Sequence, residues 1–384
     1  MSSVQTELRE AVREAATGVA ERHPRSEWLR LAREGRHLEA MWADLAAGGL
    51  LGLGVPESMG GMGGGVYELV LLMDILASAG VPTLHQILTG LVHVSLVRNG
   101  TPGQIDRYVR PSMAGEHRLG LAVTEPDAGT NSFAMTTTVR RAGDRWIVNG
   151  QKTFISGADE SAYLFTVARS AALSPPGGRA ALSVLMVPVK TRGIDMQPLD
   201  IEIVQPDRQF TVFMDEVEVE DGALVGADGA GASVMFDALN TERLLVAAMA
   251  LGLGEYALGK AVAYARERAP FGRPIGAYQG IQHRLARAKA HLEAARAVLY
   301  GASEGFDRGE PVGPACSMAK LLASEAGVEA CDAAIQVHGG YAFDAGYDVS
   351  TIWPLVRLFC IAPVNNEMVL NSIGQHVLGL PKSY

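Results

Sequence analysis

The chain has 384 residues, 48% of them hydrophobic and 20% charged, which is apolar enough for a large core and excludes a disordered chain. At about 150 residues per domain it holds two or three folding units. Its 33 basic and 42 acidic side chains leave a net charge of −9, which excludes a nucleic-acid partner that would need a basic face.

The start, MSSVQTELRE, has no basic stretch followed by an apolar one, so no targeting segment is expected. From Gln5 to about Asn99 the pattern is helical and alanine-rich. It is interrupted by GGMGGG at 60–65, a loop between helices, because each glycine would cost a helix about 1 kcal/mol relative to alanine. Between about Arg118 and Val225 the period changes to two: TTTVRRAGDRWIVNGQKTFIS reads as strands punctuated at Ala142-Gly143-Asp144 and Asn149-Gly150. Further β-prone runs, AYLFTVA at 162, ALSVLMVPV at 181 and FTVFMDEVEV at 210, are separated by SPPGG and other breakers.

After Asp228 the helical period returns. Ile281, Leu285, Ala288, Leu292, Ala295 and Leu299 form the seam of a packed helix, Pro314 opens another with a seam of Leu321, Val328 and Ile335, and Gly339-Gly340 stops it. The longest apolar run, around Leu244 to Gly254, is too short to cross a bilayer, so no membrane association is expected. Cys316, Cys331 and Cys360 are odd in number without CxxC spacing, pointing to a reducing, cytoplasmic setting and to no metal site.

Two segments could carry chemistry. Ala122-Val-Thr-Glu-Pro-Asp-Ala-Gly-Thr130 joins an apolar strand to a tight glycine turn, whose backbone N–H groups could approach a ligand closely; an ordinary β-turn explains it equally well. In Asn149-Gly-Gln-Lys-Thr-Phe-Ile-Ser156, alternation puts Phe154 and Ser156 on one strand face, where an aromatic ring and a hydroxyl could flank a planar ligand. Taken alone, that segment reads as a half-buried core face.

Together, TEPDAGT at 124, NGQKTFIS at 149, ERAPFGRPIGAYQGIQ at 267 and QVHGG at 336, in that order, resemble the acyl-CoA dehydrogenase family of flavoproteins over nearly the whole chain. The resemblance implies an α+β fold: a helical domain over 1–117, a middle β-barrel over 118–226 and a helical bundle over 227–384. It implies bound FAD, with Leu121, Val123, Thr124, Phe154 and Ser156 around the isoalloxazine and Gly129 and Thr130 shaping the approach of flavin and thioester. Arg268, Phe271, Gln279, Gln336, Gly339 and Gly340 match the part of the pattern that holds the FAD diphosphate and adenosine of a neighbouring subunit, which implies a homotetramer or homodimer. His338 is assigned to packing.

Dehydrogenating an acyl thioester requires a carboxylate to take an α proton while the β hydrogen leaves for the flavin. Many members carry it in a segment reading IYEGTNEIQ. The matching stretch here is Ile361-Ala-Pro-Val-Asn-Asn-Glu367-Met368-Val369, and the base position falls on Pro363. A subset, including isovaleryl-CoA dehydrogenases, places the base on an earlier helix in a segment like LDLERLVLA. Leu239-Asn-Thr-Glu242-Arg243-Leu-Leu-Val-Ala matches that segment, which makes Glu242 the expected base ahead of Glu367 and puts Asn240 and Arg243 near the acyl thioester. Proline has no N–H, so the backbone donor that polarises the thioester carbonyl in the family is missing unless Val364 supplies it.

The expected activity is α,β-dehydrogenation of an acyl-CoA or acyl-carrier-protein thioester, with electrons passing to an electron-transfer flavoprotein. The altered C-terminal segment admits an oxygen-reactive relative, an oxidase or monooxygenase. A non-catalytic subunit that keeps the fold is a third reading.

Overall fold

The structure is a computed structural model that describes residues 3–175 and 180–382. The Pro-Gly-Gly part of the SPPGG breaker lies outside the described residues. The N-terminal segment folds as α1 (Ser3–Arg22), α2 (Arg25–Arg33), α3 (Glu39–Ala47), α4 (Val66–Ser78) and α5 (Leu84–Asn99), with short turns α6 (Pro102–Gln104) and α7 (Arg110–Met113) leading out. VYELVLLMDILAS is apolar nearly all round, so α4 is buried on most of its surface, as a helix at the centre of a layer must be. The glycine cluster at 60–65 lies between helices, as its composition requires.

Among the described residues eight strands follow: β1 (Arg118–Ala122), β2 (Thr138–Ala142), β3 (Arg145–Ser156), β4 (Ser161–Ser170), β5 (Leu182–Pro188), β6 (Ile194–Leu199), β7 (Gln209–Glu220) and β8 (Leu224–Val225). They form one sheet in the order β6-β7-β3-β2-β4-β5-β8, with β1 pairing parallel to β4. Asn149-Gly150 does not turn the chain. β3 runs through it, and the register on β7 shifts there, with Gly150 at φ 148°. A Cβ on Gly150 would sit 2.6 Å from Thr137 Cα, so the glycine permits close backbone approach inside a strand.

The chain ends in three long helices, α8 (Gly231–Glu267), α9 (Gln279–Asp307) and α10 (Gly313–His338), followed by α11 (Trp353–Leu358) and α12 (Asn366–Ser372). Long as it is, α8 is a core helix: an 18-residue window has mean hydropathy 1.4, but 72% of it is buried. Along α9 the seam of Ala288, Leu292, Ala295 and Leu299 is buried. Of the expected α10 seam, Leu321 is buried. Val328 and Ile335 are half-buried, and small residues, Cys316, Ala319, Ala323, Ala330 and Ala334, form the sealed face.

Small residues let α8 and α10 approach closely. A Cβ on Gly327 would lie 2.7 Å from the Ala250 carbonyl oxygen and 2.9 Å from Val356 Cγ1, and backbone cannot yield as a side chain can. Gly327→Ala should therefore destabilise the protein by about 1–3 kcal/mol through overpacking. Denaturant unfolding checks this, and an unchanged midpoint would show that the two helices can separate without loss.

Candidate active site

The two chemistry-bearing segments are joined by a buried ion pair. β1 delivers Val123, Thr124 and Glu125, and β3 delivers Lys152 to Ser156. Thr153 N donates to Thr124 O at 2.9 Å, and Lys152 Nζ donates to Val123 O at 2.8 Å and to Glu125 Oε1 at 2.9 Å. Glu125 also accepts from Thr136 N, Thr136 Oγ1 and Thr137 N. Burial pushes the Glu125 carboxyl up, but the Lys152 charge and the threonine donors outweigh it and hold the group at about 2. The Lys152 side chain is sealed from solvent, which drags its ammonium down to about 8 against the pull of Glu125. The carboxylate, with four donors, sets the charge state of the pair.

Immediately after this clamp the strand is strained. Phe154 has φ 57°, in the left-handed region, and is 61% exposed between buried Thr153 and Ile155. The register on β7 shifts between Lys152 and Ile155, so strict alternation does not carry Phe154 and Ser156 to one face. A bulged, strained residue that presents a large aromatic ring to solvent is a feature of binding sites. Ser156 Oγ lies 2.8 Å from Gln209 Nε2 on β7. Leu121, Val123 and Thr124 are half-buried, whereas Gly129 and Thr130 are exposed. Nothing lies within 4 Å of where a Gly129 Cβ would stand, and Thr130 Oγ1 accepts from Asn365 Nδ2 of the C-terminal segment at 3.0 Å.

A second surface lies at one end of the bundle. Arg268, Gly339 and Gly340, with Tyr264, His338 and Tyr341, line a cavity of about 580 Å³. Gly339 ends α10 at φ 59°. Phe271 is 83% exposed, and Gln279 and Gln336 are exposed outside that cavity. The His338 ring stacks on Tyr264 at 4.5 Å, and its Nδ1 lies 2.8 Å from Ala334 O, consistent with packing. These two surfaces fit the parts of FAD: an exposed aromatic ring with half-buried aliphatic neighbours suits a planar ring, and an arginine with open paired glycines suits a diphosphate.

Glu242 lies on α8, half-buried, and its Oε2 is sealed from water with no hydrogen-bond partner among the described residues. Desolvation pushes the carboxyl up to about 7, opposed only by the adjacent Arg243 charge. Arg243 itself turns into the bundle. Its Nη1 donates to Asn240 Oδ1 at 2.8 Å and to Ser317 Oγ of α10 at 3.4 Å. The structure thus brings Asn240 and Arg243 together with each other. Glu367, the alternative carboxylate, is exposed on α12.

Three participants escaped sequence reasoning. Gln209, which partners Ser156, gives no signal in its own stretch. Lys320 is fully buried on α10 and donates to Val364 O at 2.6 Å and Asn366 Oδ1 at 2.8 Å; a lysine amid MAKLLA reads as a solvated helix position. Asn365, whose side chain reaches Thr130, gives no signal in a stretch read for a carboxylate and a backbone donor. Elsewhere, His37, His85, Asp159, Glu160 and Asp207 come within cation-binding distance, but Arg118 and Arg208 already pair with Glu160 and Asp159.

Comparison with known proteins adds the following. Residues 2–116 match the pattern described as acyl-CoA dehydrogenase, N-terminal domain, 120–214 the middle domain and 229–378 the C-terminal domain. The chain is 39% identical to acyl-CoA dehydrogenase FadE12 of Mycobacterium tuberculosis (strain ATCC 25618 / H37Rv) over 100% of this chain and 99% of that one. It is 31% identical to the caffeyl-CoA reductase-Etf complex subunit CarC of Acetobacterium woodii, covering 93% of this chain and 94% of that one. Butyryl-CoA dehydrogenase from Megasphaera elsdenii superimposes with a TM-score of 0.91 at 25% identity, covering 98% and 99% of the two chains.

Proposed function

Because the chain belongs to the acyl-CoA dehydrogenase family and is an FAD-dependent oxidoreductase, we propose that it dehydrogenates an acyl thioester, carried on CoA or on an acyl carrier protein, to the 2-enoyl thioester with Glu242 as base. The single observation that supports this is the unpartnered, desolvated Glu242 carboxylate, poised near neutrality on a bundle helix. A structural glutamate would be expected to hold a cationic partner or face water; a general base works best with a pKa near the operating pH.

FAD, when bound, supplies the acceptor for the β hydrogen. The chain's own residues do the rest. Phe154, Val123 and Thr124 form the platform for the ring, with Ser156, tethered by Gln209, as a hydroxyl at its edge. Arg268 with Gly339 and Gly340 provides an anion-binding surface for a diphosphate. The exposed Phe271, Gln279 and Gln336 suit contact with a second copy, in keeping with a cofactor shared across a homodimer or homotetramer interface. CarC belongs to an Etf complex by its name, which supports an electron-transfer flavoprotein as acceptor. A cytoplasmic location accords with the free cysteines.

Anaerobic titration of the purified yellow protein with short, medium and branched acyl-CoAs tests the proposal. Bleaching of the flavin band by one of them, with an enoyl product, is expected. Retained colour with every acyl thioester would refute it. The pH dependence follows from the base: below about 7 the Glu242 carboxyl is protonated and cannot accept, so kcat/KM should rise about tenfold per pH unit up to that point and then level. A profile flat from pH 5 to 8 would assign the base to another group.

A further inference from the structure

Ser156 and Gln209 face each other across β3 and β7 as partners in the strand register. Gln209 is 8% exposed, and its amide addresses a single group: Nε2 lies 2.8 Å and Oε1 3.0 Å from Ser156 Oγ. Neither amide atom has a second partner among the described residues. A buried amide head without a partner is costly, so a plain cross-strand tether would use one head here and satisfy the other elsewhere. The strands cannot slide to ease the contact. Gly157 N donates to Arg208 O at 2.8 Å, Arg208 pairs with Asp159, and a Cβ on Gly157 would stand 2.5 Å from His85 Cε1, so α5 packs directly on the turn after Ser156.

With the heavy atoms held, the freedom that remains is rotation of the hydroxyl hydrogen. A serine hydroxyl has one hydrogen and two lone pairs, and a primary amide both donates and accepts. When Gln209 Nε2 donates to Ser156 Oγ, the hydroxyl hydrogen is free for an acceptor in the site. When Ser156 Oγ donates to Gln209 Oε1 instead, a lone pair is free for a donor. A flavin presents both demands in turn, because the ring nitrogen that receives a hydride, N5, accepts a hydrogen bond when oxidised and, once it carries that hydrogen, donates one.

We propose that Gln209 is a positioning residue with two settings: its amide holds the Ser156 hydroxyl as a donor toward the oxidised ring and as an acceptor toward the reduced one, so that a single contact serves both states. This rests on the flavin-platform reading above and deepens it. Gln209 acts only through Ser156, and no covalent bond forms or breaks at either side chain.

The test uses holoenzyme from cells fed riboflavin labelled with ¹⁵N at N5, whose resonance moves with hydrogen bonding. In wild type it should differ from that of free FAD in both the oxidised and the reduced state, and Ser156→Ala should bring it back toward the free value in both. Gln209→Met should produce part of that return in both states and add nothing in the Ser156→Ala background. Because both states lose support, the reduction equilibrium should change less than about threefold, or about 15 mV for two electrons. A resonance that moves in one state only, with the equilibrium displaced about tenfold, or about 30 mV, would show a hydroxyl of fixed polarity and overturn the proposal. A resonance that moves in neither state, or a Gln209→Met effect that persists without the hydroxyl, would reduce the amide to a strand cross-link. These outcomes leave the dehydrogenase reading intact, since the wild type is still bleached by its acyl thioester. If Gln209→Met does not keep flavin, Gln209→Asn, whose shorter amide stops short of the hydroxyl, carries the same measurement. A wild-type resonance equal to that of free FAD in both states would place Ser156 away from the ring and remove the platform reading together with this one.

Discussion

Glu242→Gln is expected to lower the rate of substrate-driven flavin bleaching by about 10²–10⁴-fold, the range that one positioned general base contributes, while the protein stays yellow and becomes more stable at pH 8. The second effect separates lost chemistry from lost structure. An unfolded glutamate ionises at 4.5 and this one at about 7, so the native state holds the proton more tightly than the unfolded chain. Stability from this group is fully present below pH 4.5 and is lost as pH rises through 7. The gap between those values, at about 1.4 kcal/mol per pH unit, means that the buried carboxylate costs on the order of 3 kcal/mol once ionised. Glutamine fills the same space and carries no charge to desolvate. Thermal unfolding of both proteins at pH 8 and pH 5 should show the variant ahead at pH 8 and the difference shrinking at pH 5. A variant that bleaches at the wild-type rate would move the base elsewhere, Glu367 being next to try. A variant less stable at both pH values would mean that Glu242 makes a contact in solution that holds the bundle together.

Burial also explains why parts of this molecule were legible in its sequence and parts were not. The change from helical to alternating and back to helical period is written in every turn of the chain, because burying apolar surface demands it, and strands and helices fall where those periods change. Glu242 stood out only through the resemblance of Leu239–Ala247 to the family segment LDLERLVLA. What stayed hidden depends on contacts between distant segments. The expected seam of α10 ran along its largest residues, yet only Leu321 of the three is buried and Val328 and Ile335 are half-buried, because α8 packs on the small ones. Asn149-Gly150 carries turn chemistry, but the closeness of Thr137 decides its role, and nothing near Gly150 in the chain announces that. Phe154 was expected to point where alternation sends it; the bulge between Lys152 and Ile155 is a property of the β3–β7 pairing. Gln209 and Lys320 are legible only once their partners are in place.

The platform proposed for the flavin rests on such a hidden contact, and Lys152→Met should expose it. Methionine nearly matches the length of the lysine stem but removes the ammonium, leaving Glu125 buried with its charge and stripping a donor from Val123 O. Breaking one side of a buried ion pair costs about 3–5 kcal/mol. The loss falls on the two strands that bring Thr124 and Phe154 together, so flavin retention should drop with stability. Unfolding midpoints and the flavin-to-protein ratio of the purified variant measure the two effects, and a variant that keeps its flavin and loses under about 1 kcal/mol would show the pair to be dispensable. Adding Glu125→Gln should recover part of the loss, because the orphaned charge goes, but the lost tether to Val123 O stays. Acid provides an independent check. Glu125 is held at about 2, below the 4.5 of an unfolded glutamate, so its contribution is present above pH 4.5 and is lost as pH falls toward 2. Wild type should shed that stability on acidification, and the double variant, with no carboxyl to protonate there, should lose correspondingly less over the same interval.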